Sequence, residues 1–241
     1  MTRAIALIFV LALGAPLTAP AEEPLAGSFT AIAAPMPWPL WDSTVGHRCN
    51  AGVEPLHKTV VPLVAPSDGL LTLSAESFIG DWDLFIVDSD GLELGGSNFP
   101  QVATSTTGSE RVTTLLEDGQ AVGMVACNQL GAPAAEIDFA FEPFDPGDIA
   151  ATIGIGDDGG ASNYYDPQEV TIAAGQAVAW SVVTGSAPHT VTADDDSFRG
   201  GTVIAGTYAR TFTQPGVYQF YCEFHGLPGQ IGQWGRVTVT A

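Results

Sequence analysis

The sequence predicts an all-β fold made of two β-sandwich domains, and three observations carry that reading. Short apolar runs alternate with period two, the spacing at which one face of a half-buried strand meets a core. Asp68-Gly69, Asp90-Gly91 and Asp118-Gly119 punctuate those runs as hairpin turns, since glycine accepts the positive φ such turns need. No stretch of any length repeats its apolar residues at helical spacing, and a Pro/Gly break at Phe144-Asp145-Pro146-Gly147-Asp148 divides the strands into two sets. The expected organisation is a leader at 1–21, a first sandwich at 22–145 and a second at 149–241.

Met1 to Ala21 reads as a secretory leader, with Arg3 as the charge, Ala4 to Leu13 as the short apolar core and Ala19-Pro20-Ala21 as the cleavage site. It is too short to span a bilayer, and no cysteine near the cut offers a lipid attachment point. Nothing later is apolar enough to cross a membrane, so a soluble, periplasmic or secreted chain is expected. Glu22 to Trp41 is rich in Ala and Pro and is expected to be extended, without periodicity. Strand signals then follow as TVVPLV, LLTLSAES, WDLFIVDSDG, ERVTTLL, QAVGMVACN and EIDFAFEPF. In the last, Ile137, Phe139 and Phe141 share one face, and Asp138, Ala140 and Glu142 the other. An antiparallel sandwich of about 120 residues is expected here.

Charge narrows the function classes. The chain carries 27 acidic and 7 basic residues for a net charge of -20, with 4 basic and 18 acidic residues up to Asp145. A nucleic-acid reader would show the opposite sign. An acidic surface suits solubility, and it can also steer a basic partner. Beyond the break, Gly154-Ile155-Gly156-Asp157-Asp158-Gly159 satisfies G-x-G-x-x-G in form only. Two carboxylates would face a pyrophosphate, and no helical pattern follows.

The second set of strands reads VTI, QAVAWSVV, HTVTA, TYARTFT, GVYQFYC and RVTVT. Tyr218, Phe220 and Cys222 share a face, which aims the thiol inward among aromatics. Cys222 and His225 lie in YCEFHGLPGQIGQWGRVTV, and His189 opens a strand in SAPHTV. One thiolate and two imidazoles suit copper, as the trigonal His₂Cys set with one weak axial donor. A buried thiolate is costly alone, and a metal cation offsets that cost. His47 and His57 stand outside these motifs and are expected to be surface or packing residues.

From about Ile149 to Ala241 the chain resembles the cupredoxins, and within them the plastocyanin, amicyanin and halocyanin group. The segments that carry the resemblance are YDPQEVTIAAGQAVAW, GSAPHTV and TFTQPGVYQFYCEFHG. It implies a Greek-key copper domain with His189, Cys222 and His225 as metal ligands. The family's fourth ligand is a Met ahead of the final strand, and Gln233 stands in that place here. Gln230, a backbone carbonyl or no axial donor at all are the alternatives. The first set of strands is similar to the bacterial pre-peptidase C-terminal jelly-roll, through the D-x-D-L-F-[IV]-x-D-x-D-G run at Asp81 to Gly91, Glu110-Arg111-Val112 and Val122 to Ala126. That resemblance implies an accessory module without catalysis. It offers Asp81, Asp83, Asp88 and Asp90 as calcium ligands, against their ordinary use in turns and at strand edges.

With Cys222 committed to metal, Cys49 and Cys127 remain, and in an oxidising compartment they pair most simply as a disulfide, the alternative being two buried thiols. Three function classes follow. The first is a type 1 copper electron carrier, exchanging electrons with a redox protein such as a cytochrome or copper oxidoreductase through the edge of His225 in the Gly226-Leu227-Pro228-Gly229 loop. The second is copper enzymology, which needs further ligands, usually H-x-H pairs. The chain has 4 His and no such pair, so no enzyme is expected. The third is a copper carrier or an adhesion module.

Overall fold

A computed structural model of the chain describes residues 25–35, 55–96, 108–157, 162–183, 189–203 and 206–241. The leader, His47 and Cys49, and with Cys49 its expected pairing to Cys127, lie outside the described residues. Among the described residues the regular elements are β-strands and two 3-10 turns, Pro55–His57 and Pro146–Asp148.

The first half holds β1 (Leu25–Ile32), β2 (Lys58–Val64), β3 (Gly69–Phe78), β4 (Gly80–Asp88), β5 (Glu93–Gly96), β6 (Gly108–Leu116), β7 (Ala121–Gly131) and β8 (Ala134–Pro143). The row β1-β8-β3-β6 packs against the sheet β2-β7-β4-β5. Alternation sends Leu71 and Leu73 of β3, Trp82, Leu84 and Ile86 of β4, and Ile137 and Phe141 of β8 into one core. Each such fully buried side chain contributes roughly 1.5–3 kcal/mol relative to exposure. The short β5 was not expected from the sequence, and β1 and β4 depart from its reading. β1 pairs along its whole length with β8, from Leu25 opposite Phe141 to Ile32 opposite Ala134, where only an extended segment was expected. It is an edge strand and mostly exposed, so it needs no apolar alternation to mark it. β4 is buried on both faces, because Phe85 and Val87 form a second small cluster with Val125 and Cys127 behind the sheet.

The second half holds β9 (Ile149–Asp157), β10 (Asn163–Asp166), β11 (Glu169–Ala173), β12 (Ala177–Val182), β13 (His189–Ala193), β14 (Arg199–Val203), β15 (Thr207–Thr211), β16 (Gly216–Leu227) and β17 (Ile231–Thr240). The row β14-β13-β16-β17-β11 faces the sheet β10-β9-β12-β15. Trp180 sits at the centre of this core, with the rings of Phe220, Tyr208, Phe198 and Phe212 at 5.4, 5.5, 6.2 and 6.4 Å. Gly154 and Gly156 lie inside β9, in an extended ladder rather than a phosphate-binding turn.

The two rows form one nine-stranded sheet, because β14 pairs with β13 on one side and touches β6 on the other, through Gly201 opposite Val112. Gly201 has φ +73°, and a Cβ there would sit 2.4 Å from the Arg111 carbonyl oxygen, so only glycine allows this approach. The Pro/Gly break is correspondingly short. Asp145 accepts the Gly147 N–H at 2.7 Å and caps the 3-10 turn that leads straight into β9.

Candidate metal centre

His189, Cys222 and His225 are drawn together by one irregularity of the β16–β17 ladder. Tyr221 pairs with Trp234 and Gly226 with Gly232, so the four residues Cys222 to His225 stand opposite the single residue Gln233. In a regular strand, side chains three apart would point to opposite faces. The excursion removes that constraint and turns both donors of β16 toward β13. The Cys222 Sγ lies 3.5 Å from His225 Nδ1 and 4.0 Å from His189 Nδ1. The two imidazole rings are 5.0 Å apart, and one donor atom from each of the three residues falls within 4.8 Å of the others.

Gln233 closes the fourth side. It is 2% exposed, its Nε2 donates to the Tyr164 carbonyl at 2.8 Å, and its Oε1 lies 3.0 Å from His189 Nδ1. The bond to Tyr164 fixes which end of the amide faces the cluster. Gln230 is exposed at the tip of the β16–β17 hairpin, with φ 69°. Tyr164 and Tyr165 of β10 had no place in the sequence-derived site. The Tyr165 hydroxyl donates to the Thr190 carbonyl, the Thr190 N–H points at Cys222 Sγ at 3.4 Å, and Thr190 Oγ1 accepts from the Glu223 N–H at 2.8 Å. Thr190 therefore ties β13 to the excursion twice. Its position next to His189 was the only signal the sequence held for it.

Burial raises the Cys222 thiol pKa, opposed by N–H groups of Thr190, Phe224 and His225 aimed at the sulfur. Burial lowers the His189 pKa, opposed by its hydrogen bond to Gln233. Burial thus works against charge on both Cys222 and His189, and a thiol, two imidazoles and an amide oxygen face one point. A soft or borderline cation fits this donor set, because thiolate formation in a dry pocket requires a positive charge beside it. His189 Nε2, turned away from the cluster, is buried without a partner.

No family model matches the chain. It is 34% identical over 89 residues to plastocyanin A/B of Petroselinum crispum, covering 89% of that protein and 32% of this chain. The chain belongs to the plastocyanin family. Another plastocyanin, the chloroplastic protein of Physcomitrium patens, is 34% identical over 95 residues, and there the chain spans 55% of the relative's length. Among solved structures, a purple cupredoxin from Nitrosopumilus maritimus is 31% identical, with 37% of this chain and 99% of that one covered at a TM-score of 0.31. The likeness to these two plastocyanins covers about a third of the polypeptide.

The four aspartates of the first sandwich do not assemble, which corrects the expectation of calcium. Asp88 Oδ1 accepts the N–H groups of Asp90 and Leu92 at 2.9 and 2.8 Å, closing the turn after β4. Asp83 accepts from Gln129 Nε2 at 2.6 Å. At about 3.3 Å per residue, the five-residue offset along β4 separates Asp83 from Asp88 by roughly 16 Å. Among the described residues the group of three side chains that could hold a metal ion is His189, Cys222 and His225. His57 is a packing residue, its Nδ1 2.7 Å from the Ala34 carbonyl.

Proposed function

We propose that this chain is an exported type 1 copper protein that carries single electrons. The carrying observation is the convergence of one buried thiol and two imidazole Nδ1 atoms, with the Gln233 amide oxygen as fourth donor. Copper, when bound, supplies a one-electron couple between Cu(II) and Cu(I). The chain's task is to hold its donors still in both states, and each is anchored: His189 and Thr190 in β13, Cys222 and His225 by the closed excursion, Gln233 by Tyr164. A fourth protein donor occupies the position that a catalytic site would keep open for substrate, which favours a carrier over an enzyme.

His225 is half-buried, and Leu227 and Ile231 beside it are exposed at 58% and 57%. This is the edge at which a redox protein, a cytochrome or a copper oxidoreductase, meets the site. The charge of -20 favours a basic partner and an on-rate that falls with salt. The leader at 1–21 places the chain in the periplasm or outside the cell, and the first sandwich serves as a non-catalytic accessory module.

An amide oxygen is a harder donor than a thioether and favours Cu(II). Gln233→Met is therefore expected to raise the midpoint potential, and Gln230→Met to leave it unchanged, by voltammetry of the copper-loaded chain. A fall or no change in Gln233→Met removes Gln233 from the ligand set. A colourless, freely exchanging Cu(I) complex in the unaltered chain would replace electron transfer with copper carriage.

A further inference from the structure

We infer that the cleft between the two sandwiches binds a small oxyanion carrying two negative charges. This cleft, of about 920 Å³, lies beside the β6–β14 contact, with Gly201 in its lining. One wall is the outer face of β3 and β6, with Thr72, Ser74, Arg111 and Thr113, and the other holds Arg199, Tyr208 and Arg210. Its size is that of a ligand pocket. The inference does not rest on the metal centre, although Thr190, Glu223 and Phe224 beside that centre also line the cleft.

The distribution of positive charge points to the ligand. Three of the seven basic residues in a chain with 27 acidic ones line this single cleft, Arg111, Arg199 and Arg210, beside the carboxylates Glu76, Glu110, Glu142, Asp196 and Glu223. Arg199 is taken up by Asp196 and Glu223, at 2.7 and 2.9 Å. Among the described residues, Arg111 and Arg210 form no ion pair despite the excess of carboxylates. Arg210 is nonetheless held in place. Its guanidinium lies 4.9 Å over the Phe198 ring and 5.7 Å from that of Phe212, and its Nε is buried without an acceptor. The Tyr208 hydroxyl stands beside Arg210 and within the field of Arg111. Two guanidinium groups and a phenol line the same cleft, and the partner that satisfies planar N–H forks in pairs is a phosphate or carboxylate.

The cleft's own carboxylates set the limits of the site. Glu142 lies opposite Leu70 and Glu76 opposite Ser109, at the two ends of β3, while Arg111 lies opposite Ser74 and Thr113 opposite Thr72 between them. The positive patch is thus bounded at both ends, which admits a compact dianion and rejects an extended polyanion. Glu110 alternates away from Arg111 along β6, and Glu223 shares the single charge of Arg199 with Asp196.

Isothermal titration of the full chain with inorganic phosphate and, separately, with malonate tests this, at constant ionic strength with chloride as the control. Saturable one-to-one binding of at least one is expected, weakened about 10-fold or more in Arg111→Gln and in Arg210→Gln and lost in the double variant. Arg210→Lys, which keeps charge and ring contact but not the fork, should fall between. Preference for phosphate or for malonate identifies the headgroup. The inference is overturned if neither anion binds saturably to the unaltered chain, or if a double variant with unchanged circular dichroism binds as well as the parent.

Discussion

Both sandwiches bury ionisable side chains, and they do so with opposite results. In the first, Asp81 and Asp83 lie two residues apart on β4, and each leaves its Oδ1 buried without a hydrogen bond. Burial pushes the Asp81 carboxyl up to about 6 and Asp83 well above its ordinary range, Asp83 being raised further by the charge of Asp81. In the second, three donors from β13 and β16 close on one point, and Gln233 of β17 faces them. A straight strand spaces its donors along a rod and cannot wrap them around an ion. Donors from separate strands, with the ladder opened at Cys222 to His225, can. Convergence between elements, rather than density of donor residues in sequence, is what makes a candidate metal centre here.

The sharpest way to break the comparison is Cys222→Ser. Complete loss of the intense copper–thiolate absorption is expected, with the far-ultraviolet circular dichroism unchanged. Retention of that band would move the centre elsewhere. Next in size is Gly201→Val, which forces a side chain into positive φ against the Arg111 carbonyl. It should cost about 2–3 kcal/mol in urea denaturation and loosen amide protection in both β6 and β13. A loss confined to one sandwich would show that the shared sheet does not couple them.

The smallest effect concerns the buried aspartates. A carboxyl whose folded pKa is raised binds protons that the unfolded chain has already released, so its contribution to stability falls as pH rises from the unfolded value of 3.8 through about 6 for Asp81. Asp83→Asn removes the charged form at this position. It should stabilise the chain by about 1–2 kcal/mol at pH 7, with the gain shrinking toward pH 4. Destabilisation at pH 7 would mean that Asp83 is paired rather than merely tolerated.

Much of the fold was legible. Strands such as β3, β8 and β16 declare themselves because alternation along a half-buried strand is a local property of neighbouring residues. β1 and β14 were missed for the converse reason. Each is defined by its partners, β8 for one, β13 and β6 for the other, rather than by its own pattern. Of the candidate centre, the donor types could be read from Cys222, His225 and His189. Thr190, Tyr164 and Tyr165 could not, since their roles consist of hydrogen bonds to residues distant in the chain.

The amino-acid sequence by itself determined that this is an all-β chain with a pronounced acidic excess and which side chains could bind a soft metal. These properties follow from residue chemistry and from the period-two geometry of extended backbone. Only the tertiary structure decided that Gln233 rather than Gln230 faces the donors, that one sheet runs through both sandwiches, and that two arginines with no ion pair among the described residues share a cleft. Each of these depends on segments brought together by packing, where register, burial and the angle between sheets are set by the whole chain at once.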